Sequence, residues 1–150
     1  MKLVIGNDHA AVEMKKEIIK HLEEKGHEVI NVGTDSNESF DYAISALKAA
    51  KMVASGEVEG GILICGTGVG ISLAANKVKG IRCGACSEPI TARLTKQHNN
   101  TNMIAFGERI VGVEVAKAIV DAWIEADFEG GRHERRVNQI MEIEETQELN

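Results

Sequence analysis

The residues of this sequence that could do chemistry are most concentrated around Cys65. This cysteine follows the uncharged run Ile62–Ile64, and glycines at positions 66, 68 and 70 come directly after it. Glycines let the backbone turn sharply and bring its N–H groups close to an anion, and a helix that begins in such a loop adds its positive end. We therefore expect the loop to face a ligand, with N–H groups that favour a thiolate at Cys65.

Cys65 also has a plainer interpretation, because unpaired cysteine is among the residues most often buried in protein cores. The properties of the residues alone leave the core role and the reactive role open. The glycine spacing fits neither the dinucleotide-binding fingerprint, which needs a third glycine where Ile71 stands, nor the P-loop. Cys83 and Cys86 lie in or at the end of a predicted strand without such a loop, and we interpret both as structural.

Two pairs of polar residues stand at predicted element ends. Asp8 and His9 lie where the first strand becomes a helix. Asp8 is a good N-cap there, and His9 could donate a hydrogen bond to an anion. His98 and Asn99 end a later helix, where a histidine often makes only a favourable contact with the helix dipole.

The segment GGRHERR gathers cations at the start of the last predicted helix. It contains Arg132, Arg135 and Arg136, together with His133. A charge run is usually a solvated face, but a helix N-terminus is the less favourable end for positive charge. The net charge of the chain is −6, so a local cluster of arginines is less expected by chance than it would be in a basic protein. The pattern indicates an anion near the segment.

The elements that must position these groups alternate regularly along the chain. Five short apolar runs without an alternating pattern predict strands, and segments with apolar residues at helical spacing predict the helices between and after them. Residues 42–55 and 70–80 predict two of these helices, the first with Leu47 on its apolar side. We expect His21, near the end of the first helix, to lie in solvent. Such an order is typical of an α/β fold with a parallel sheet covered on both faces, here as one domain over residues 1–150. Ligands bind such sheets at the carboxyl ends of the strands, beside a switch in strand order.

Composition excludes several kinds of partner. A net charge of −6 argues against a nucleic-acid or anionic-membrane partner, which would call for a basic face. No stretch is long and apolar enough to span a membrane. Three cysteines and no signal peptide favour a reducing cytoplasm over a disulfide framework.

Motifs spread over nearly the whole chain belong together: GNDHA, GGILICGTGVGISLAANK, CSEP, QHNNTN, AFGERIVG and DAWIEADFEGGRHERRV. In this combination they resemble ribose-5-phosphate isomerase of type B, a family grouped with the galactose-6-phosphate isomerase subunits. The resemblance runs from residue 2 to about residue 145. It implies a Rossmann-like three-layer αβα fold with a five-stranded parallel sheet and a C-terminal helix. It also implies conversion between D-ribose 5-phosphate and D-ribulose 5-phosphate through an enediolate, a step of the pentose phosphate pathway, without metal or organic cofactor.

The resemblance assigns the reacting groups. Cys65 matches the base that takes the proton from C2 and returns it to C1, and His98 matches the acid that helps to open the furanose ring. Asn99 matches a substrate contact beside it. The cradle of the enediolate oxygen matches five consecutive residues, Gly66, Thr67, Gly68, Val69 and Gly70.

The remaining assignments concern the sugar and its phosphate. Asp8 and His9 match contacts near the first strand, and Arg109, Arg132 and Arg136 match the substrate- and phosphate-binding arginines. The family further implies a homodimer, sometimes a dimer of dimers, whose active sites combine residues of two chains.

The sequence departs from the family pattern at two positions, and three alternative functions stay open. One branch of the family has a glutamate base where this chain has Ile71, which places the chain in the cysteine-base branch. Tyr42 is followed by alanine where many members have proline, so we assign it no role. A six-carbon aldose 6-phosphate such as allose 6-phosphate stays open as the substrate. So do a nucleotide-binding or NAD-linked protein, weakly supported by Glu88 about 20 residues past the loop, and a binding protein without turnover.

Overall fold

The computed structural model describes all 150 residues. Five strands and six α-helices alternate along it, with a 3₁₀ turn over His9–Ala11 before the first helix. The strands are β1 (Lys2–Asn7), β2 (Glu28–Asn31), β3 (Gly60–Cys65), β4 (Cys83–Ala85) and β5 (Met103–Gly107). The helices are α1 (Val12–Glu24), α2 (Tyr42–Ala54), α3 (Val69–Ala75), α4 (Pro89–Asn99), α5 (Val113–Glu125) and α6 (Arg132–Thr146).

The strands form one parallel sheet in the order β2-β1-β3-β5-β4, as the element pattern predicts. The chain first builds outward from β1 to β2 and then crosses back to β3 on the other side, so the strand order switches between β1 and β3. At the carboxyl edge Asn7 pairs with Ile64, and Cys65 pairs with Gly107. Cys65 therefore ends the central strand beside the switch point, where α/β sheets bind ligands.

Helices cover both faces of the sheet, which confirms the three-layer αβα prediction. Alternate residues of the central strands enter two separate cores, with Ile62 and Ile64 on one face and Leu63 on the other. Helices α1, α4 and α5 pack on the first face, and α2 and α3 on the second. Trp123 is fully buried in the first core, where its Nε1 donates a hydrogen bond to Thr101 Oγ1 at 3.0 Å. No helix has both the length and the apolar character needed to cross a membrane.

Two elements differ from their predicted form. Helix α3 ends at Ala75, whereas the sequence pattern predicts helix up to residue 80. The side chain of Asn76 bonds both the N–H and the C=O of Cys83, and these contacts shape a turn into β4 in place of further helix. In α2 the buried stripe consists of small residues, and Leu47, predicted to face the core, is 45% exposed.

Candidate active site

Cys65 lies at the carboxyl edge of the sheet with its sulfur held by the backbone. Its side chain is buried, and Sγ accepts a hydrogen bond from the N–H of Gly68 at 3.1 Å. Gly68 has φ +83°, and a Cβ at this position would lie 2.7 Å from the backbone of Phe106. Only glycine fits both the angle and the space. The sequence thus places a backbone N–H donor directly against the sulfur of Cys65.

The glycine loop is braced by the chain that follows β5. The N–H of Glu108 donates to the carbonyl of Cys65 at 2.9 Å, and the N–H of Arg109 donates to that of Gly66 at 3.1 Å. A Cβ on Gly107 would lie 2.5 Å from the backbone of Thr67, so the two segments touch directly. Arg109 Nη1 would lie 3.2 Å from a Cβ on Gly66, which places the guanidinium over the loop. Arg109 and the loop therefore share one side of the sheet edge.

Asp8 and His9 lie at the same edge, after β1. Asp8 Oδ1 accepts the N–H of Ala10 at 3.0 Å, which confirms its capping role. His9 Nδ1 lies 3.0 Å from the backbone nitrogen and 3.3 Å from the carbonyl oxygen of Phe40. The shorter contact has the Phe40 N–H as donor and Nδ1 as acceptor. Both contacts engage Nδ1, so Nε2 is the ring nitrogen left for an anion or a sugar oxygen.

The sequence interpretation missed the lysine that holds the loop beside His9. The side chain of Lys15 is completely buried in α1, and its Nζ donates to the carbonyl of Thr34 and to the carboxylate of Asp35. Hydrogen bonds from Lys15 and from Asn31 lower the pKa of Asp35. The contacts fix the start of the loop that ends at Phe40. The only sequence signal for these contacts is a lysine on the buried, otherwise apolar face of the predicted helix.

Two further side chains at this edge also lay outside the predicted set. The Tyr42 ring covers Gly70, since a Cβ there would lie 2.7 Å from the ring. Glu108 follows β5 and keeps Oε2 buried without a hydrogen-bond partner. Burial, and the nearby charges of Glu13 and Asp8, raise the pKa of Glu108. An extra carboxyl group thus lies beside Asp8.

The other half of the predicted set lies at the opposite edge of the sheet. His98 and Asn99 form the last turn of α4, which runs back from the carboxyl edge to the beginning of β5. Arg132 and Arg136 are exposed in the first turns of α6, which begins at the same end. The two edges are separated by the length of a strand, about 17 Å. One chain therefore does not bring His98 to its own Cys65.

His98 belongs to a compact cluster at the amino edge. Its ring stacks on that of His133, with 4.3 Å between the ring centroids and 8° between the planes. Glu129 Oε1 lies 3.6 Å from Nε2 of each histidine. Burial, followed by the charges of His98 and Arg132, lowers the pKa of His133. The cluster therefore consists of two stacked imidazole rings and one carboxylate, and it lies where α4 meets the beginning of α6.

Two imidazoles and a carboxylate are also zinc ligands, and the three ligand atoms lie within 4.8 Å of one another. A metal ion bound by both rings would have to lie near both ring planes, which parallel stacked planes do not allow. We therefore interpret the cluster as an arrangement of hydrogen-bonding and charged groups. Glu88, the weak sign of a nucleotide site, instead caps α4 by accepting the N–H of Thr91 at 2.9 Å.

The chain is similar to known proteins over almost its whole length. Residues 3–140 match the Ribose/Galactose Isomerase family. The chain is 58% identical to ribose-5-phosphate isomerase B of Escherichia coli, over 96% of this chain and 97% of that protein. It is 38% identical to the D-erythrulose-4-phosphate isomerase of Pectobacterium atrosepticum, over 93% of each chain.

A solved structure shows the same likeness in three dimensions. Ribose-5-phosphate isomerase B of Clostridium thermocellum superposes with a TM-score of 0.96 at 51% identity, covering 99% of this chain and 100% of the other. Both the family match and the pairwise identities extend over almost all of the sequence. This chain therefore belongs to the ribose/galactose isomerase family.

Proposed function

We propose that the protein is an aldose–ketose isomerase that converts D-ribose 5-phosphate into D-ribulose 5-phosphate and back, in the pentose phosphate pathway. The observation that carries this proposal is the Cys65 sulfur, buried at the end of β3 with the N–H of Gly68 donated to it. A thiolate there can act as a base beside a loop of backbone donors. Relatives that share 58% and 51% of their residues with this chain are named for the same reaction.

The proposed chemistry needs only groups of the protein. Once the sugar is open, the Cys65 thiolate removes the proton from C2, and the electron pair of the C–H bond moves to make the enediolate. Negative charge develops on the former carbonyl oxygen at C1, where the N–H groups of Gly66–Gly70 would stabilise it. The thiol then returns the proton to C1 while the proton of the C2 hydroxyl passes to the oxygen at C1, so that C1 carries a hydroxyl group and C2 becomes the carbonyl carbon of the ketose. Thr67 contributes its hydroxyl to the same cradle.

The other candidate residues bind and open the sugar in this proposal. His9 donates from Nε2, and Asp8 accepts from a sugar hydroxyl near the first strand. Arg109, Arg132 and Arg136 hold the phosphate at a fixed distance from the base, since guanidinium groups recognise phosphate in a bidentate manner. His98 acts as the acid that opens the furanose ring, and Asn99 contacts the substrate beside it.

A second copy of the chain completes each site in this proposal, because the two groups of residues occupy opposite edges of one sheet. An apolar surface next to the glycine loop supports this pairing. Its residues are all at least 43% exposed and lie on α2 and α3: Tyr42, Ile44, Leu47, Val69 and Leu73. Large apolar side chains grouped in this way mark interaction surfaces. We propose a homodimer, with a dimer of dimers as the larger assembly. It works in the cytoplasm, where its three free cysteines stay reduced.

The experiment that tests the proposal follows the proton at C2 of ribose 5-phosphate in heavy water. We expect deuterium at C2 of recovered aldose and at C1 of the ketose with the wild-type protein, because the enediolate forms and is reprotonated. Binding without exchange would show a non-catalytic protein. Stabilisation against heat by NAD or ATP, with none by ribose 5-phosphate, would contradict the isomerase proposal and support the nucleotide-binding alternative.

The choice of sugar is tested by comparing kcat/KM. We expect ribose 5-phosphate to be preferred over allose 6-phosphate and galactose 6-phosphate. The four-carbon D-erythrulose 4-phosphate completes the series, since it is the substrate for which the Pectobacterium relative is named. A larger kcat/KM for any of the other three sugars would overturn the assignment of substrate and leave the isomerase chemistry intact.

A further inference from the structure

We infer that Glu129 and His133 form a positioning pair for His98, which fixes the plane of its ring and keeps it supplied with a proton. The inference rests on the proposed function, in which His98 is the acid that opens the sugar ring. Neither partner belongs to the residues assigned to substrate contacts. Their own contacts, described next, all converge on His98.

His133 provides a rigid platform for an exposed ring. The side chain of His98 is 39% exposed, and such a ring would normally sample several orientations. His133 is buried, with a relative exposure of 9%, and lies parallel to His98 at 4.3 Å between centroids. The stack leaves the His98 ring one plane in which to lie. A proton donor held in this way avoids the loss of rate that accompanies misplaced catalytic groups.

Glu129 is attached to the same helix end as His98. Its backbone N–H donates to the carbonyl of Gln97 at 3.0 Å, which joins the segment before α6 to the last turn of α4. Gly130 and Gly131 follow with φ of +67° and +57°, angles that other residues rarely adopt. This double turn returns the chain so that the N–H of His133 bonds the carbonyl of Gly130 at 3.1 Å. Both partners are thereby aimed at one ring.

The charges around the cluster decide which histidine uses the carboxylate. Glu129 Oε1 is equally distant, at 3.6 Å, from Nε2 of both rings. Burial, followed by the charges of His98 and Arg132, lowers the pKa of His133 and so favours its neutral form. A neutral His133 does not compete for the negative charge of Glu129, which leaves the carboxylate as the hydrogen-bond acceptor for Nε2 of His98.

This arrangement suits the step assigned to His98. In ring opening the bond between C1 and the ring oxygen breaks, His98 gives its proton to that oxygen, and the C1 hydroxyl loses its proton to water as the carbonyl forms. The step needs a charged donor in a fixed direction. Glu129 and His133 act through His98 alone, so their removal should slow turnover and leave the binding of an already open sugar unchanged.

The test uses Glu129→Gln, His133→Ala and His133→Phe in the full-length protein. We expect the first two to lower kcat for ribose 5-phosphate about 10- to 100-fold. The inhibition constant of the acyclic analogue 5-phospho-D-ribonate should change less than about 2-fold, because an open chain does not need the acid. His133→Phe keeps a flat ring for stacking and should recover most of the rate. Glu134→Gln, an exposed change in the same turn of α6, is the matched control.

A spectroscopic measurement separates positioning from general damage. The ¹⁵N resonances of the His98 ring should shift in Glu129→Gln and His133→Ala and stay in place in Glu134→Gln. Unchanged kcat and unchanged His98 resonances in the first two variants, with Trp123 fluorescence showing a folded protein, would overturn the inference. A loss of analogue binding as large as the loss of kcat would also overturn it, because the residues would then contact the ligand. If the wild-type protein does not isomerise ribose 5-phosphate, the proposed function fails, while the His98 resonances still test the pairing.

Discussion

The two edges of the sheet carry groups of residues that are built in different ways. At the carboxyl edge Cys65 and the loop after it are buried, and backbone contacts from Gly68 and Arg109 hold them. At the amino edge Arg132 and Arg136 are exposed side chains on the first turns of α6. A group that exchanges a proton with carbon benefits from a rigid environment with little water. Arginine side chains that bind a phosphate are long and charged, and they can be exposed to solvent before the phosphate binds. The comparison suggests that each edge is half of a site.

The largest expected effect concerns the carboxyl edge. Cys65→Ala should lower kcat for ribose 5-phosphate by about 10³-fold or more, since it removes the proposed base and general acid–base catalysis contributes about 10²- to 10⁴-fold. The fold should survive, because only one sulfur atom leaves the core. Steady-state kinetics and heat denaturation measure the two effects.

Cys83→Ala is the matched control for this change. It also removes a buried sulfur from the sheet, and burial raises the pKa of Cys83 far above the range in which a thiol could act as a base. We expect kcat to stay within about 2-fold of the wild type. Wild-type turnover in Cys65→Ala would remove Cys65 from the mechanism.

Mixing two inactive variants tests whether the edges of different chains meet. Cys65→Ala lacks one half-site and His98→Ala lacks the other, so a mixed dimer contains one intact site. Random association should restore about a quarter of the wild-type activity. The measurement is kcat per chain after the two variants are unfolded and refolded together. If activity stays at the level of the parent variants while mixed dimers are detected, the two half-sites do not combine across chains.

The fold was predictable because its signals are local. Short apolar runs that end in glycine or cysteine gave the five strands, and the glycine loop after Cys65 pointed to the reactive edge. The prediction that Leu47 faces the core was wrong, because α2 packs closely on the sheet through Ser45 and Ala46. Such a close contact leaves room only for small side chains on the buried side of the helix. Periodicity alone does not reveal the distance between a helix and a sheet.

The site was predictable only in part, because many of its contacts join residues distant in sequence. Lys15 meets Asp35 across 20 residues, and His98 meets His133 across 35. No sequence motif predicts either of these two contacts. The separation of His98 from Cys65 also follows from topology, since α4 runs antiparallel to the strands. A single sequence shows which residue types could take part in a site. The three-dimensional fold determines whether each residue lies at the carboxyl or at the amino edge of the sheet.

A smaller effect is expected from the arginines of the amino edge. Arg136→Ala should raise KM for ribose 5-phosphate about 10- to 100-fold with a lesser change in kcat, because it removes the proposed charge-assisted contact to the phosphate. Arg135→Ala, which removes a cation from the neighbouring exposed position, is the control and should leave KM within about 2-fold. An unchanged KM in Arg136→Ala would exclude this residue from the phosphate site.

The smallest expected effect concerns a contact outside both half-sites. His21, which the sequence pattern leaves in solvent, donates a hydrogen bond from Nε2 to Asp121 Oδ1 at 2.8 Å, and Lys25 Nζ lies 2.9 Å from Oδ2 of the same carboxylate. Burial would raise the pKa of Asp121, but the hydrogen bonds from Lys25 and His21 outweigh burial and lower it. A lowered pKa stabilises the fold at any pH above the unfolded value, about 3.9, and this stability is lost as the pH falls through the folded value. Asp121→Asn should therefore reduce the free energy of unfolding at pH 7 by at most about 1 kcal/mol.

Urea denaturation followed by the fluorescence of Trp123, the only tryptophan, measures this change. The difference between the wild type and Asp121→Asn should be present above the unfolded pKa of about 3.9 and should shrink as the pH falls below it through the lower folded value. Glu114→Gln, which breaks an exposed pair with Lys117, should show no such pH dependence. Asp121 belongs to α5 and contacts His21 of α1, away from both half-sites. We therefore expect kcat to stay unchanged in both variants. A fall in kcat for Asp121→Asn would mean that this contact between α1 and α5 also positions one of the two half-sites, and the division of the molecule into two independent edges would have to be given up.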